Sequence, residues 1–441
     1  MSQQPRLPLW FLVVNWALIL AAFAIGTYLG SSRSVHLPDP QRSALELVYH
    51  EVLQSYIEQQ DEHELLERAI AGMVDGLDDY SRYIPPQKVA AYDESSSGHY
   101  QGIGAVMTAL EDQVVLHFPF DGSPAEQAGL LPGDVIVAVD GKALDDAESR
   151  QNVHQLVRGE AGTTVALTVR RGERQLQVEV ERGDVQRPCV KWTHFVDEAQ
   201  GLGYLYLSDF HPTAGKQLFD AVRALEKQRE LRGLIVDLRF DGGGSLDQCL
   251  AIARGFLREG VIATQHRRKG KDEVYEARPK EVKWPDLPLV LLVNEQSASA
   301  SEVLSGALQD HRRAVVVGVR THGKGYVNTV YSWTDHDFKL KLTTGSYRTP
   351  NGRNIERNHA TDGNPADKEK GGILPDVEVA VSHEDNVRLY AALHATEVPD
   401  AYREGFQAVA ERHDLAVAAP LKPDQDPQLQ AALEALRKQL D

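Results

Sequence analysis

The region that most restricts the fold is 190–385, where short, wholly apolar runs alternate with amphipathic helical patterns. "GLGYLYLSDF" reads as a strand and "TAGKQLFDAVRALEKQ" as a helix. "RGLIVDLRFDGGG" is a buried strand running into glycines, "PLVLLVNEQSASASEVLSGALQD" repeats strand, loop and helix, and "AVVVGV" is again a strand. Strands that are apolar on both faces and joined through helices make an α/β fold with at least part of the sheet parallel. Open sheets of this kind bind ligands at the carboxyl ends of their strands. Two loops lie there, "RFDGGGS" at 239–245 and "NEQSASASE" at 294–302. The second sets three serines at alternate positions before a helix N-terminus, whose orphan N–H groups and dipole favour a developing oxyanion. The same residues also fit S-x-x-E, with Ser299 capping the helix and Glu302 completing a capping box.

A nucleophilic serine needs a base. Neither G-x-S-x-G nor H-E-x-x-H occurs, so a nucleophile elbow and a zincin are both unsupported. The next conspicuous stretch is "GVRTHGKGYVN", 318–328. Residues 318–324 match G-x-x-x-x-G-K, but Gly325 offers no hydroxyl for magnesium and "YVNTVYSW" alternates like a strand. A P-loop must instead open a helix, so nucleotide binding is set aside. Lys324 makes sense as a general base, since a Ser–Lys pair obeys the logic of the triad. Its pKa must then fall from about 10.4 toward 7–8, which burial away from carboxylates would achieve.

Residues 98–186 have another character. Gly102-Ile103-Gly104 precedes an extended run, Ser123-Pro124 opens a short helix, Asp140-Gly141 signals a hairpin, and "TTVALTVRR" and "RQLQVEVER" are strands. Two short helices among five or six strands outline a PDZ domain. "SPAEQAGLLPGDVIVAVDGKAL" resembles the PDZ domains of exported bacterial proteases. That resemblance implies that Gly102, Ile103 and Gly104 hold a peptide's C-terminal carboxylate while the peptide adds as an edge strand.

Upstream, residues 31–97 read as a helical N-terminal region stopped at Pro85 and Pro86, with 95–98 as a linker. Residues 7–30 are uncharged and long enough to span a bilayer, for which about 20 apolar residues suffice. An anchor behind a cytoplasmic tip at 1–6 is the expectation; a signal peptide cleaved after Ala24 is the alternative. Cys189 and Cys249 read as two separate buried thiols, and a disulfide is open if the protein is exported. With 47 basic against 64 acidic residues, net −17, nucleic-acid binding has no electrostatic footing.

The quoted motifs, together with "AIAGMVDGLDDYSRYI", "GKGYVNT" and "TPNGRNI…ILPDVEV", resemble the C-terminal processing peptidases, or tail-specific proteases, over nearly the whole chain. The resemblance implies a multidomain α/β and α+β protein. A PDZ domain at 98–186 would be inserted between the helical region and a ClpP/crotonase-like Ser/Lys protease core at 187–385, with a helical tail at 386–441. It implies Ser299 as nucleophile, Lys324 as base, and Gly243 and Ala300 amides as the oxyanion hole. Arg158 would couple peptide binding to the active site, and neither metal nor cofactor would be used. The implied partners are unfolded or tail-bearing exported proteins, the inner membrane, a homo-oligomeric copy and an adaptor, with the bulk in the periplasm or extracytoplasmic space. Two departures stand out. Asn328 replaces the family's usual glutamine, which would orient the lysine, and Asp241-Gly242-Gly243-Gly244 replaces Asn-Pro-Gly-Gly, bringing a carboxylate that would oppose deprotonation of Lys324. A catalytically weak PDZ scaffold that binds C-terminal tails is the rival these departures support.

Overall fold

A computed structural model describes residues 37–357, 371–420 and 422–440. The uncharged run 7–30 lies outside them; among the described residues no helix is long and apolar enough to cross a membrane. The chain divides into two compact units, up to Gly76 and from Leu77 onward. The first contains helices Asp39–Ser55 and Glu62–Asp75, the second of which is capped by Asp61 accepting the Glu64 N–H at 2.9 Å.

In the second unit, helix Pro86–Ser97 corrects two expectations. Pro86 starts this helix rather than ending one, because a proline at the first helical position gives up only an N–H that is orphaned anyway. The three serines of the expected linker form its last turn, which closes on Gly98 in the left-handed conformation at φ 68°.

The sheet that carries the site has six strands, in the order Val190–Asp197, Leu202–Leu207, Gly233–Asp237, Leu289–Val293, Val315–Gly318, Val377–Glu378. The first pair is antiparallel and the rest are parallel. Its three central strands, Leu202–Leu207, Gly233–Asp237 and Leu289–Val293, are buried at every position, as strands covered on both faces require. Helices Ala214–Gln228, Leu246–Phe256 and Ala300–Asp310 cover one face through Leu218, Val222, Leu250, Val303 and Leu304. The other face is covered by the tail, with Leu389, Leu393, Leu429, Leu433 and Leu436 packed on it. The tail is therefore the third layer of the core.

Residues 105–181 form a six-stranded antiparallel sheet around Val114, Leu116, Ile136, Leu167 and Val180. Ser123 caps its first helix by accepting the Glu126 N–H, and Asp140 and Gly141 both take positive φ in the hairpin that pairs Val139 with Lys142. The module is closed by pairing of His99–Gly102 with Gly183–Gln186. Helix Arg403–His413 packs Phe406 and Val409 against its Val115 and Phe118. A second antiparallel sheet joins Arg82–Ile84, His336–Arg348, Val261–Arg267 and Glu273–Glu276, with Tyr326–Trp333 pairing the long strand His336–Arg348.

Candidate active site

The alternation of the serine cluster sorts its members. Ser297 and Ser301 are wholly buried and serve the neighbouring loop: the Ser297 hydroxyl donates to the Leu238 carbonyl at 2.8 Å and that of Ser301 to the Asp241 carbonyl at 3.0 Å. The Ala298 N–H adds a bond to the same Asp241 carbonyl at 2.9 Å. Ser299 between them lines an open cleft of about 550 Å³, shared with Lys324, Asn328, Lys341, Asp209 and Gly243. Its backbone, at φ 56° and ψ −112°, is one that costs a non-glycine residue roughly 1–3 kcal/mol and collects at functional sites.

The cap and the nucleophile are not rival readings of Ser299. Helix Ala300–Asp310 does start with the capping box, and Glu302 accepts the Ser299 N–H at 2.9 Å. The same fully buried carboxylate also accepts the Thr321 hydroxyl (2.6 Å) and the backbone N–H groups of Gly323 (2.7 Å) and Lys324 (2.8 Å). One side chain thus fixes the serine's backbone to the lysine's. The sequence showed Glu302 only as a cap; its second role needs the loop 321–324 to be folded against it.

Lys324 is held between glycines whose smallness is used. A Cβ on Gly325 would meet the Glu356 N at 2.3 Å, and Gly323 takes φ 88°. The Lys324 ammonium sits 4.8 Å from the centre of the Tyr80 ring, a cation–π distance. Burial lowers its pKa, Glu302 and Glu356 oppose that shift, and Arg82 adds to it. Just beyond Lys324 the chain enters strand Tyr326–Trp333, where a P-loop would open a helix.

One expectation about the neighbours changes. Asn328 lies in the cleft with Lys324, its amide nitrogen donating to the Thr343 hydroxyl at 3.0 Å. Asp241 does not act on the lysine. Its carboxyl is wholly buried and turned back to accept the Gly243 N–H at 2.8 Å, and burial pushes its pKa well above the usual carboxylate range. Gly243 lies directly on the serine, where a Cβ would come within 2.8 Å of Ser299 Cβ and 2.9 Å of Ala300 N. Its own N–H is thus engaged by Asp241 in this structure. Ala300 is the first residue of its helix, the position of an orphan amide. Both cysteines are free and buried, with the Cys249 thiol donating to the Ala300 carbonyl beneath the site.

In the β-rich module, Ile103 and Gly104 line a groove of about 270 Å³ together with His154, Val157 and Arg158. The Ile103 and Gly104 carbonyls accept from Ala125 and Phe120. Gly102 lies against Arg158, which a Cβ there would approach to 3.6 Å. Arg158 pairs with Glu94 at 3.0 Å and lies over the Tyr100 ring. A third cavity, about 760 Å³, shares Phe120 and Arg187 with this groove and Asp209 and Gly242 with the serine cleft.

Residues 201–379 match the family model described as Peptidase family S41, and residues 121–171 match that of the PDZ domain. The chain is 31% identical over 399 residues to a carboxy-terminal-processing protease of Bartonella bacilliformis, covering 89% of this chain and 87% of that one. It is 31% identical over 375 residues to a probable CtpA-like serine protease of Staphylococcus haemolyticus, with 84% and 72% covered. Among solved structures, a photosystem II D1 C-terminal processing protease aligns with a TM-score of 0.43 and 29% identity over 78% of this chain and 94% of that one.

Proposed function

The chain belongs to the carboxy-terminal-processing proteases of peptidase family S41, and from that premise we propose that Ser299 is its nucleophile and Lys324 its general base. The observation that carries this reading is the Glu302 carboxylate, which holds the backbone N–H of both residues at the edge of one cleft. Neutral Lys324 takes the Ser299 hydroxyl proton as the oxygen attacks the scissile carbonyl, then returns it to the departing amine. Water, deprotonated by the same amine, releases the acyl group from Ser299. The tetrahedral oxyanion is met by the Ala300 N–H and by that of Gly243, once the latter turns away from Asp241. Glycines at 242–244 give that peptide the freedom to turn.

The substrate is a protein with a free C-terminus, unfolded or tail-bearing. Its last residue enters the groove of Ile103 and Gly104, and the chain runs through the intervening cavity to Ser299. Arg158 couples the two sites through helix Pro86–Ser97. Glu94 on that helix pairs with Arg158 and Arg187, and Tyr92, Ser95 and Ser96 of the same helix line the serine cleft. A tail carboxylate that draws Arg158 off Glu94 therefore acts on the wall of the active site.

The test is cleavage of an unfolded protein ending in small apolar residues, compared with the same protein amidated at its C-terminus. Amidation is expected to lower kcat/KM at least tenfold, and equal rates would remove the groove from the mechanism. No cleavage of either form, with tail binding intact, would favour the scaffold reading.

The uncharged run 7–30 supports a single-pass inner-membrane anchor with the bulk of the chain outside the cytoplasm. Intact mass of the protein from the membrane fraction is expected to include that run; a start just after Ala24 would make it a cleaved signal.

A further inference from the structure

Arg187 stands where two cavities meet. With Phe120 it lines both the groove of Ile103 and Gly104 and the cavity of about 760 Å³ that leads toward the serine cleft. The chain fixes it there: it follows strand Gly183–Gln186, whose antiparallel partner His99–Gly102 runs into the Gly-Ile-Gly turn, and its own N–H donates to the Gly98 carbonyl at 2.8 Å. Its guanidinium belongs to a cluster. Arg158 and Arg187 both lie over the Tyr100 ring, at 5.1 and 5.3 Å, and both pair with Glu94, at 3.0 and 2.8 Å. Among the described residues no other carboxylate reaches either guanidinium at ion-pair distance. The cluster therefore holds two permanent cations and one anion. The side chains of Arg158 and Arg187 are 43% and 47% exposed, and ion pairs open to water to that degree are weak enough to be exchanged for a better acceptor.

We infer that Arg187 is a specificity-determining residue of this protease: together with Arg158 it binds the terminal carboxylate of the substrate, the anion that the cluster lacks. This rests on the reading of the Ile103 and Gly104 groove as the seat of the tail. Gly102, at the turn, lies directly against Arg158, which brings that end of the groove to the cluster. Each guanidinium is a fork of N–H donors, and a carboxylate has lone pairs enough to accept from both. Glu94 is then the tail's competitor: it occupies both cations while the groove is empty and yields them to the incoming carboxylate. The charge is what makes the site selective. A backbone N–H bonds a neutral carbonyl as well as a carboxylate, so the turn alone would accept an internal segment of chain; two guanidiniums add a preference for the ionised end.

The test is binding of a small apolar tail peptide without acidic side chains, as the free acid and as the C-terminal amide, to the full-length Ser299→Ala protein. That protein is expected to prefer the acid by at least about tenfold. Adding Arg187→Met, which keeps the length of the side chain and removes its charge, should weaken the acid by about tenfold and leave the amide where it was. Arg187→Lys keeps the charge without the fork and should retain part of the preference. Glu94→Gln should tighten the acid by up to about fivefold, because the competing anion is gone, and leave the amide unchanged. An undiminished preference for the acid in Arg187→Met would overturn the inference while leaving the groove as the seat of the tail. Equal weakening of both peptides would mark Arg187 as structural only, and no tightening in Glu94→Gln would show that the tail does not take the cations from Glu94; either result also overturns it. A starting protein that binds acid and amide alike would instead fail the premise, whatever the Arg187 variants do.

Discussion

Ser299→Ala and Lys324→Ala are each expected to lower kcat by at least about 10³-fold while leaving binding of a C-terminal tail peptide unchanged. The two losses should not add in the double variant, because a nucleophile without its base and a base without its nucleophile fail at the same step. Lys324→Arg should be as inactive as Lys324→Ala, since a guanidinium is not deprotonated at any working pH. The same chemistry sets the sign of the pH dependence. Burial lowers the Lys324 pKa, so the neutral base gains population and the rate rises with pH through that value. A residual rate in Lys324→Ala should have no such rise. Glu302→Gln belongs in the same set: it keeps the size but points an amide group at the N–H donors of Ser299, Gly323 and Lys324. A displacement near 1 Å between the two groups is worth about 10²-fold in rate. Full activity in Glu302→Gln would show that the carboxylate only caps the helix. Full activity in Lys324→Ala would end the dyad reading.

How much of this could be read from the chain differs from one element to the next. The parallel core was legible because its strands are apolar on both faces and its helices amphipathic, a pattern that depends on local spacing alone. The proposal of the middle serine came from the sequence only through resemblance. The structural support for that proposal, that Ser297 and Ser301 are engaged by the Leu238 and Asp241 carbonyls, depends on a loop roughly sixty positions away in sequence. The role of Asp241 was hidden in the same way: the direction of its carboxyl, toward its own Gly243 and not toward the lysine, is set by the folded glycine loop. Residues 95–97 look like linker because serine is a poor helix former, yet packing of their helix against the long strand His336–Arg348 overrides that preference. The tail looks polar because each of its helices buries a narrow stripe, Leu389 and Leu393 in one and Leu429, Leu433 and Leu436 in another.

That tail also governs stability, through Arg239. This arginine is wholly buried at the start of the glycine loop, where its guanidinium pairs with Asp237 at 2.6 Å and Asp426 at 2.7 Å and also donates to Gln428. Asp237 is further held by the Tyr204 hydroxyl, and Asp426 caps helix Pro427–Arg437 by accepting the N–H groups of Gln428 and Leu429. Arg239→Ala would leave two buried carboxylates facing one another without a cation, and breaking such a pair costs about 3–5 kcal/mol. The denaturant midpoint is expected to fall by that amount divided by the slope of the unfolding curve. Arg239→Met should fall nearly as far, because it restores volume and not charge. An unfolding free energy within about 0.5 kcal/mol of the parent's would mean that the cluster is neutral on balance, as some buried ion pairs are. Position carries the effect into function: Asp241 and Gly243 come next in the chain, so the helix at 427–437 holds the loop that carries the proposed oxyanion amide. Arg239→Ala protein that is still folded at low temperature should therefore lose kcat more than tail binding, since among the described residues the groove of Ile103 and Gly104 has no side-chain bond to Arg239, Asp237 or Asp426.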